Sequence, residues 1–404
     1  MILSDAHDIL QRMLHPMPLD AFLDDVLGKR FIKLEGRLHD GRRESLLGED
    51  PERVILGSFA RLSPKIGCHA AAPNGPPPNI EPLPDAASFR AKIAVFHARG
   101  YTVRLPEIRA LTPDLDVFIR ALELVLHQPV KVESFWSRGD AKAPVHHDDY
   151  DIIVIQLRGR KRWFISTAVS DLPNAWKTPP DGPPRIDRFA EVSVEPGDLL
   201  YLPRGTTHHV DAITDSIHLS IGFVPLTLRE AIIACIDHLS DLSRPLRETV
   251  GARIGAQVQI SDFGDLADRV RTGVASLMTH CRADAFVVEA LQRRSARVIG
   301  SLDKLNPPVE HIALSPMTRL RHNRLGVCHI VGNASRIDFA YPGGHHFIHR
   351  GVEQSVAFIA KTPEFCIRDI PGEIGDDVRI ALAEKLVSSG FLEVAGDPSP
   401  ISER

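Results

Sequence analysis

Val145-His-His-Asp-Asp-Tyr-Asp-Ile-Ile-Val-Ile-Gln-Leu-Arg-Gly-Arg-Lys-Arg-Trp-Phe-Ile-Ser166 is the most informative stretch of this chain. It reads as a β-hairpin: an apolar strand, a turn at Arg158-Gly159, and a second apolar strand. On a strand, residues i and i+2 share a face, so His146 and Asp148 converge on one point. In a tight, unbulged hairpin Lys161 lies opposite Gln156. Gln156 has the parity of Tyr150, Asp148 and His146, so Lys161 projects into the same cavity. His147 and Asp149 form a rival His-x-Asp pair, but that register points away from Lys161. Strand alternation therefore favours His146 and Asp148.

Downstream, Glu195-Pro-Gly-Asp-Leu-Leu-Tyr-Leu-Pro-Arg-Gly-Thr-Thr-His-His209 supplies a distant histidine. Pro196-Gly197 suits a type II turn, Asp198 to Leu202 a short strand, and Pro203-Arg-Gly205 a second turn that delivers His208. In a small β-barrel, such strands aim side chains at a common interior site. Two imidazoles and one carboxylate are the facial set that leaves coordination positions open on non-haem Fe(II). The far carboxylate of a bidentate keto acid such as 2-oxoglutarate then needs a buried cation, which Lys161 provides. The strand Ser216–Phe223 alternates apolar residues with His218, Ser220 and Gly222, and Ser220 offers the cosubstrate a hydroxyl. Trp136, Tyr150 and Arg204 fall near the expected mouth and are candidate substrate contacts. A lone His-x-Asp arises readily by chance in a chain with 19 histidines. The ordered series of inward lysine, Pro-Gly-Asp turn and terminal histidine is what argues for a metal.

The remaining composition is permissive. The 404 residues exceed one compact core, so two or three domains are expected. A net charge of −4 gives no global attraction to nucleic acid or anionic membrane. Five scattered cysteines without a Cys-x-x-Cys pair suit reduced thiols in a cytoplasmic protein. The N-terminus has neither the bases nor the apolar stretch of a signal peptide, and no apolar run is long enough to span a bilayer.

The expected organisation is α+β in four segments. Residues 1–85 form a helical and loop extension ending in a proline-rich stretch (71–85) that cannot take regular structure. Residues 86–225 hold the strand-rich domain. In 226–303 the period becomes helical, with Leu228, Ile232, Ile233, Ile236 and Leu239 in register and further helices near 263–281 and 283–302. Their apolar faces need the β-domain or a second copy of the chain. Residues 304–404 read as a winged-helix-like module. Asp376-Asp377 start a helix striped by Val378, Leu382 and Leu386, Gly390 stops it, and a strand follows at 391–394.

Three stretches carry a family resemblance: His146-His-Asp-Asp-Tyr-Asp151, Gln156-Leu-Arg-Gly-Arg-Lys-Arg-Trp163, and Pro196-Gly-Asp-Leu-Leu-Tyr-Leu-Pro-Arg-Gly-Thr-Thr-His208. The chain resembles the JmjC-type ribosomal oxygenases. The resemblance implies a double-stranded β-helix of the jelly-roll or cupin type, with iron on His146, Asp148 and His208 and 2-oxoglutarate on Lys161. It implies a homodimer through 226–303 and hydroxylation of an arginine or histidine on a ribosomal protein, with succinate and CO2 as coproducts. An asparagine common in the family on the strand before the metal site is replaced here, with Ser134 the candidate stand-in.

Other readings stay open at this point. One is a tailoring hydroxylase of a ribosomally made peptide or small natural product, and another is N-methyl demethylation. A non-catalytic cupin with a DNA-reading winged helix is argued against, because Asp376, Asp377 and Glu384 offset Arg379 and Lys385 on its helix. Gly343-Gly-His-His-Phe-Ile-His349 mimics a second metal site in His345 and His349, but lacks a third ligand.

Overall fold

The computed structural model describes residues 1–38, 40–170, 172–173, 185–249, 266–306, 313–333 and 335–395. The chain divides into two units, one running to Pro225 and one from Leu226. The extension 1–85 lies inside the first unit.

Among the described residues, ten strands build the first unit: β1 (Ile32–Leu34), β2 (Gly67–His69), β3 (Thr102–Pro106), β4 (Lys131–Ser137), β5 (Asp151–Arg158), β6 (Lys161–Ser166), β7 (Phe189–Val194), β8 (Leu199–Leu202), β9 (His208–Ala212) and β10 (Ser216–Phe223). One antiparallel sheet runs β1-β8-β5-β10-β4-β3-β2, and a smaller one runs β7-β6-β9. Ile152, Val154, Trp163, Ile165, Leu200 and Leu202 form one buried cluster that draws on both sheets.

The expected hairpin is not there. β5 pairs with β8 and β10, whereas β6 pairs with β7 and β9, so Arg158-Gly159-Arg160 is an arch between sheets. The reason lies in the Ile152-Ile-Val-Ile155 run, which is buried at every position. A strand without polar alternation is covered on both faces and sits in a sheet centre, where its neighbours are remote in sequence. Gly159 makes the arch possible with φ +68°, and a Cβ there would lie 1.9 Å from the Asp215 carbonyl oxygen. His146 and Asp148 also precede β5. His146 holds only an isolated bridge to His208, with N–H···O distances of 3.0 and 2.8 Å.

The Pro196-Gly197 turn takes the expected form, with Gly197 at φ +84° and the Asp198 N–H donating to Glu195 O. The Asp198 side chain then ties β1 to this turn. It accepts from Gly36 N (2.6 Å) and Glu195 N (2.9 Å) and lies 2.8 Å from Lys33 Nζ. Breaking such a buried pair costs about 3–5 kcal/mol. Asp198→Ala is expected to lose that much in urea unfolding, and a loss below about 1 kcal/mol would show that the turn is pinned otherwise.

The second unit carries helices Leu228–Leu242, Leu266–His280 and Asp284–Ser301. Thr227 caps the first by accepting from Glu230 N at 3.1 Å. Ala234, Cys235, His238 and Leu239 are buried on that helix, leaving Leu228, Ile232 and Ile236 exposed. Val270, Val274 and Met278 form a second exposed stripe at i, i+4 spacing. Residues 263–265 of the expected second helix lie outside the described residues.

Strands β11 (Arg319–His322), β12 (His329–Gly332), β13 (Arg336–Tyr341), β14 (Gly344–His349), β15 (Glu364–Cys366) and β16 (Leu392–Val394) follow, as sheets β12-β13-β14 and β15-β11-β16. The helix Asp376–Ser388 starts at the acidic pair, and Gly390 ends it with φ +76°. Leu382 and Leu386 reach the core, whereas Val378 stays exposed, at the open end of the expected stripe. No helix among the described residues is long and apolar enough to cross a membrane.

Candidate metal centre

A cavity of about 470 Å³ opens between the sheets of the first unit. His146 and Asp148 reach it from the segment before β5, and His208 from the start of β9. One ligand atom from each of the three lies within 4.8 Å of the others. His208 Nε2 is 3.9 Å from Asp148 Oδ2, and the two imidazole centroids are 4.4 Å apart.

Backbone carbonyls set the tautomers. His146 Nδ1 faces Pro144 O at 2.8 Å, and His208 Nδ1 faces Thr206 O at 2.9 Å. A carbonyl only accepts, so each Nδ1 carries the proton and each Nε2 keeps its lone pair. Burial holds His208 down to about pH 4, opposed by Asp148 and helped by His146, so it is neutral at physiological pH. Two imidazoles presenting Nε2 and a carboxylate fit a divalent first-row ion with open positions.

Lys161 lines the same cavity, is 3% exposed, and donates to Ser137 Oγ at 2.8 Å. Ser137 in turn shares a hydrogen bond with Thr102 Oγ1 at 2.9 Å. Among the described residues no carboxylate pairs with this ammonium, and burial pulls its pKa down to about 7. His69 and His218 also line the cavity, both held neutral chiefly by burial and then by Lys161. His218 stacks on Phe135, with centroids 5.1 Å apart. The unpaired cation thus faces neutral imidazoles and hydroxyls, an environment suited to an anion.

The other sequence candidates divide. Ser220 and Tyr150 line the cavity, and Lys131 Nζ lies 5.2 Å from the Tyr150 ring centroid. Ser134 does not line it. The residues of β4 that do are Lys131, Glu133, Phe135 and Ser137, and strand parity turns Ser134 to the opposite face. Trp136 points the same wrong way and packs on His97. Arg204 anchors its own turn instead, with its N–H donating to Asp151 at 3.2 Å and Nη1 lying 3.5 Å from that carboxylate. His209, next to His208 in sequence, stacks on Phe164. His345 pairs with Asp338 at 2.9 Å, and no second cluster of three ligand-type side chains occurs among the described residues.

Sequence reasoning missed Ser137, Thr102, His69 and the Arg104–Glu133 pair (Nε to Oε2 2.7 Å). His218 was visible in the alternation of β10. Ser137 is separable from Ser134 only once the inward face of β4 is known.

These features define a cupin-like protein of mixed helices and sheets, and residues 113–231 match the JmjC domain family. The chain is similar to several curated ribosomal oxygenases and hydroxylases. It is 37% identical over 90 residues to ribosomal oxygenase 2 of Rattus norvegicus, covering 21% of this chain and 18% of that one. It is 32% identical over 109 residues to the ribosomal protein uL16 3-hydroxylase of Escherichia coli, covering 26% and 28%. A bifunctional lysine-specific demethylase and histidyl-hydroxylase of Drosophila willistoni matches at 22% over 334 residues, 78% of this chain and 41% of that one. The chain thus spans well under two thirds of the curated relatives it matches. The structure of E. coli YcfD, titled a ribosomal oxygenase in complex with cobalt and 2-oxoglutarate, shares the fold. Its TM-score is 0.56 at 17% identity, covering 94% of this chain and 99% of that one.

Proposed function

We propose that this protein is an Fe(II)- and 2-oxoglutarate-dependent oxygenase that hydroxylates a side chain of a protein or peptide, with a ribosomal protein as the leading substrate. One observation carries the reading: a three-donor metal set and an ammonium without a counter-anion among the described residues line one cavity. When bound, iron and 2-oxoglutarate activate O2 so that a substrate C–H becomes C–OH, with succinate and CO2 released.

The chain's own residues orient that chemistry. His146, Asp148 and His208 would hold the iron, a donor set that suits an ion with coordination positions left for substrate-like ligands. Lys161, with Ser137 and Ser220, binds the distal carboxylate, and Thr102 holds the Ser137 hydroxyl in place. Trp163, Phe135 and Val210 wall the cavity and exclude water. Tyr150, Lys131 and the Arg104–Glu133 pair form the mouth that meets the substrate. The exposed stripes Leu228/Ile232/Ile236 and Val270/Val274/Met278 support a homodimer through 226–303. Residues 304–404 serve as a winged-helix-like module that widens the surface offered to a protein substrate. The unpaired thiols fit a cytoplasmic setting.

The test is incubation of a cell lysate with enzyme, Fe(II) and 2-oxoglutarate, followed by mass spectrometry for peptides heavier by one oxygen. Succinate release and oxygenated peptides are expected, absent with His146→Ala. Succinate output equal to that control across all peptide pools would sink the assignment.

A further inference from the structure

Cys235 and Cys281 are far apart in sequence, yet the fold brings them together. Cys235 lies mid-way along the helix Leu228–Leu242 and is 4% exposed. Cys281 directly follows the helix Leu266–His280 and is partly exposed. Cys281 packs against the small core of Ala234, Cys235 and Ala290. Both belong to the second unit, and nothing in the proposed reaction uses them. One sulfur is open to solvent and its neighbour is buried against it. That is the arrangement in which an oxidised outer cysteine is captured by an inner one.

We propose that Cys235 and Cys281 form a reversible modification site, at which a hydroperoxide produces an intramolecular disulfide joining the helix Leu228–Leu242 to the turn after Leu266–His280. The chemistry balances in two steps. The Cys281 thiolate attacks the terminal oxygen of the hydroperoxide. The O–O bond breaks, an alcohol leaves, and the sulfur becomes a sulfenic acid. The Cys235 sulfur then attacks that sulfenyl sulfur and gives up its proton. The hydroxyl departs as water as the S–S bond forms. Two thiols and one hydroperoxide yield one disulfide, one alcohol and one water. Burial and the adjacent sulfur keep the Cys235 thiol above its ordinary pKa, so Cys235 is the slower of the two to react and serves as the resolving thiol.

The full-length protein, treated with tert-butyl hydroperoxide and then alkylated, should lose about 2 Da in intact mass before labelling. Non-reducing digestion should yield one cross-linked peptide pair containing residues 235 and 281, and dithiothreitol should restore two alkylation sites. In Cys235→Ser, Cys281 should instead accumulate as a sulfenic acid trapped by dimedone. In Cys281→Ser, Cys235 should stay reduced. A cross-link to Cys68, Cys328 or Cys366, a cross-link between two chains, or a wild-type Cys281 trapped by dimedone as fully as in Cys235→Ser would overturn the proposal. Mapping of the wild-type protein decides the matter even if a serine variant folds poorly.

Discussion

Asp148→Ala will fold, take up no stoichiometric ferrous ion, and lose essentially all turnover. Asp148 supplies the only carboxylate of the three-donor set, and its side chain is 37% exposed, so its removal leaves no core defect. Losing a partner outside the coordination sphere typically costs roughly 10–100-fold in affinity or activity. Losing a ligand itself should exceed that, and at least about 10³-fold in kcat/KM is expected. The binding arm is measured without catalysis. Ferrous or manganous ion should raise the melting temperature of the wild type, by linkage of about 2.7 kcal/mol at a hundredfold excess over Kd. Asp148→Ala should show no rise. A metal-dependent shift of wild-type size in the variant would remove Asp148 from the ligand set.

Lys161→Met should split stability from function. Breaking a buried anion–cation pair costs about 3–5 kcal/mol, so KM for 2-oxoglutarate should rise roughly 10²–10³-fold. The metal-free, cosubstrate-free variant should nonetheless melt above the wild type, because it no longer buries an ammonium whose partner among the described residues is the Ser137 hydroxyl. The pH dependence follows from a folded-state pKa of about 7 against 10.5 in the unfolded chain. Between those values the unfolded chain holds more protons, so wild-type stability rises with pH. The penalty is full below pH 7 and gone near pH 10.5. The variant's advantage should therefore shrink as pH climbs through that window. Cosubstrate binding works in the opposite sense, since above about pH 7 it must recruit a proton to Lys161 and weakens as pH rises. A variant that binds 2-oxoglutarate like the wild type would move the anion site elsewhere.

The meeting of His146, Asp148, His208 and Lys161 was legible because residue type and parity carry over even when pairing is misjudged. β5 and β6 are not a hairpin, yet residues on the inward face of each still address one cavity. What the residues alone could not supply was which face of β4 turns inward. Ser134 was the serine singled out on that strand, whereas Ser137 is the one that lines the cavity once β4 is paired with β3 and β10. Trp136 and Arg204 were misplaced for similar reasons, since an aromatic on such a strand and an arginine in a turn serve packing and capping as readily as binding. The cysteine pair was illegible because only the packing of three helices brings the two sulfurs together.

The long sheet borrows both of its outermost strands, β1 and β2, from the first 70 residues, and His69 comes with them. A fragment starting at residue 86 would leave β8 and β3 with bare rows of N–H and C=O groups, open templates for intermolecular pairing. Trimming to the region that bears the iron-type motif thus invites fibrous or amorphous association and removes one wall of the cavity as well.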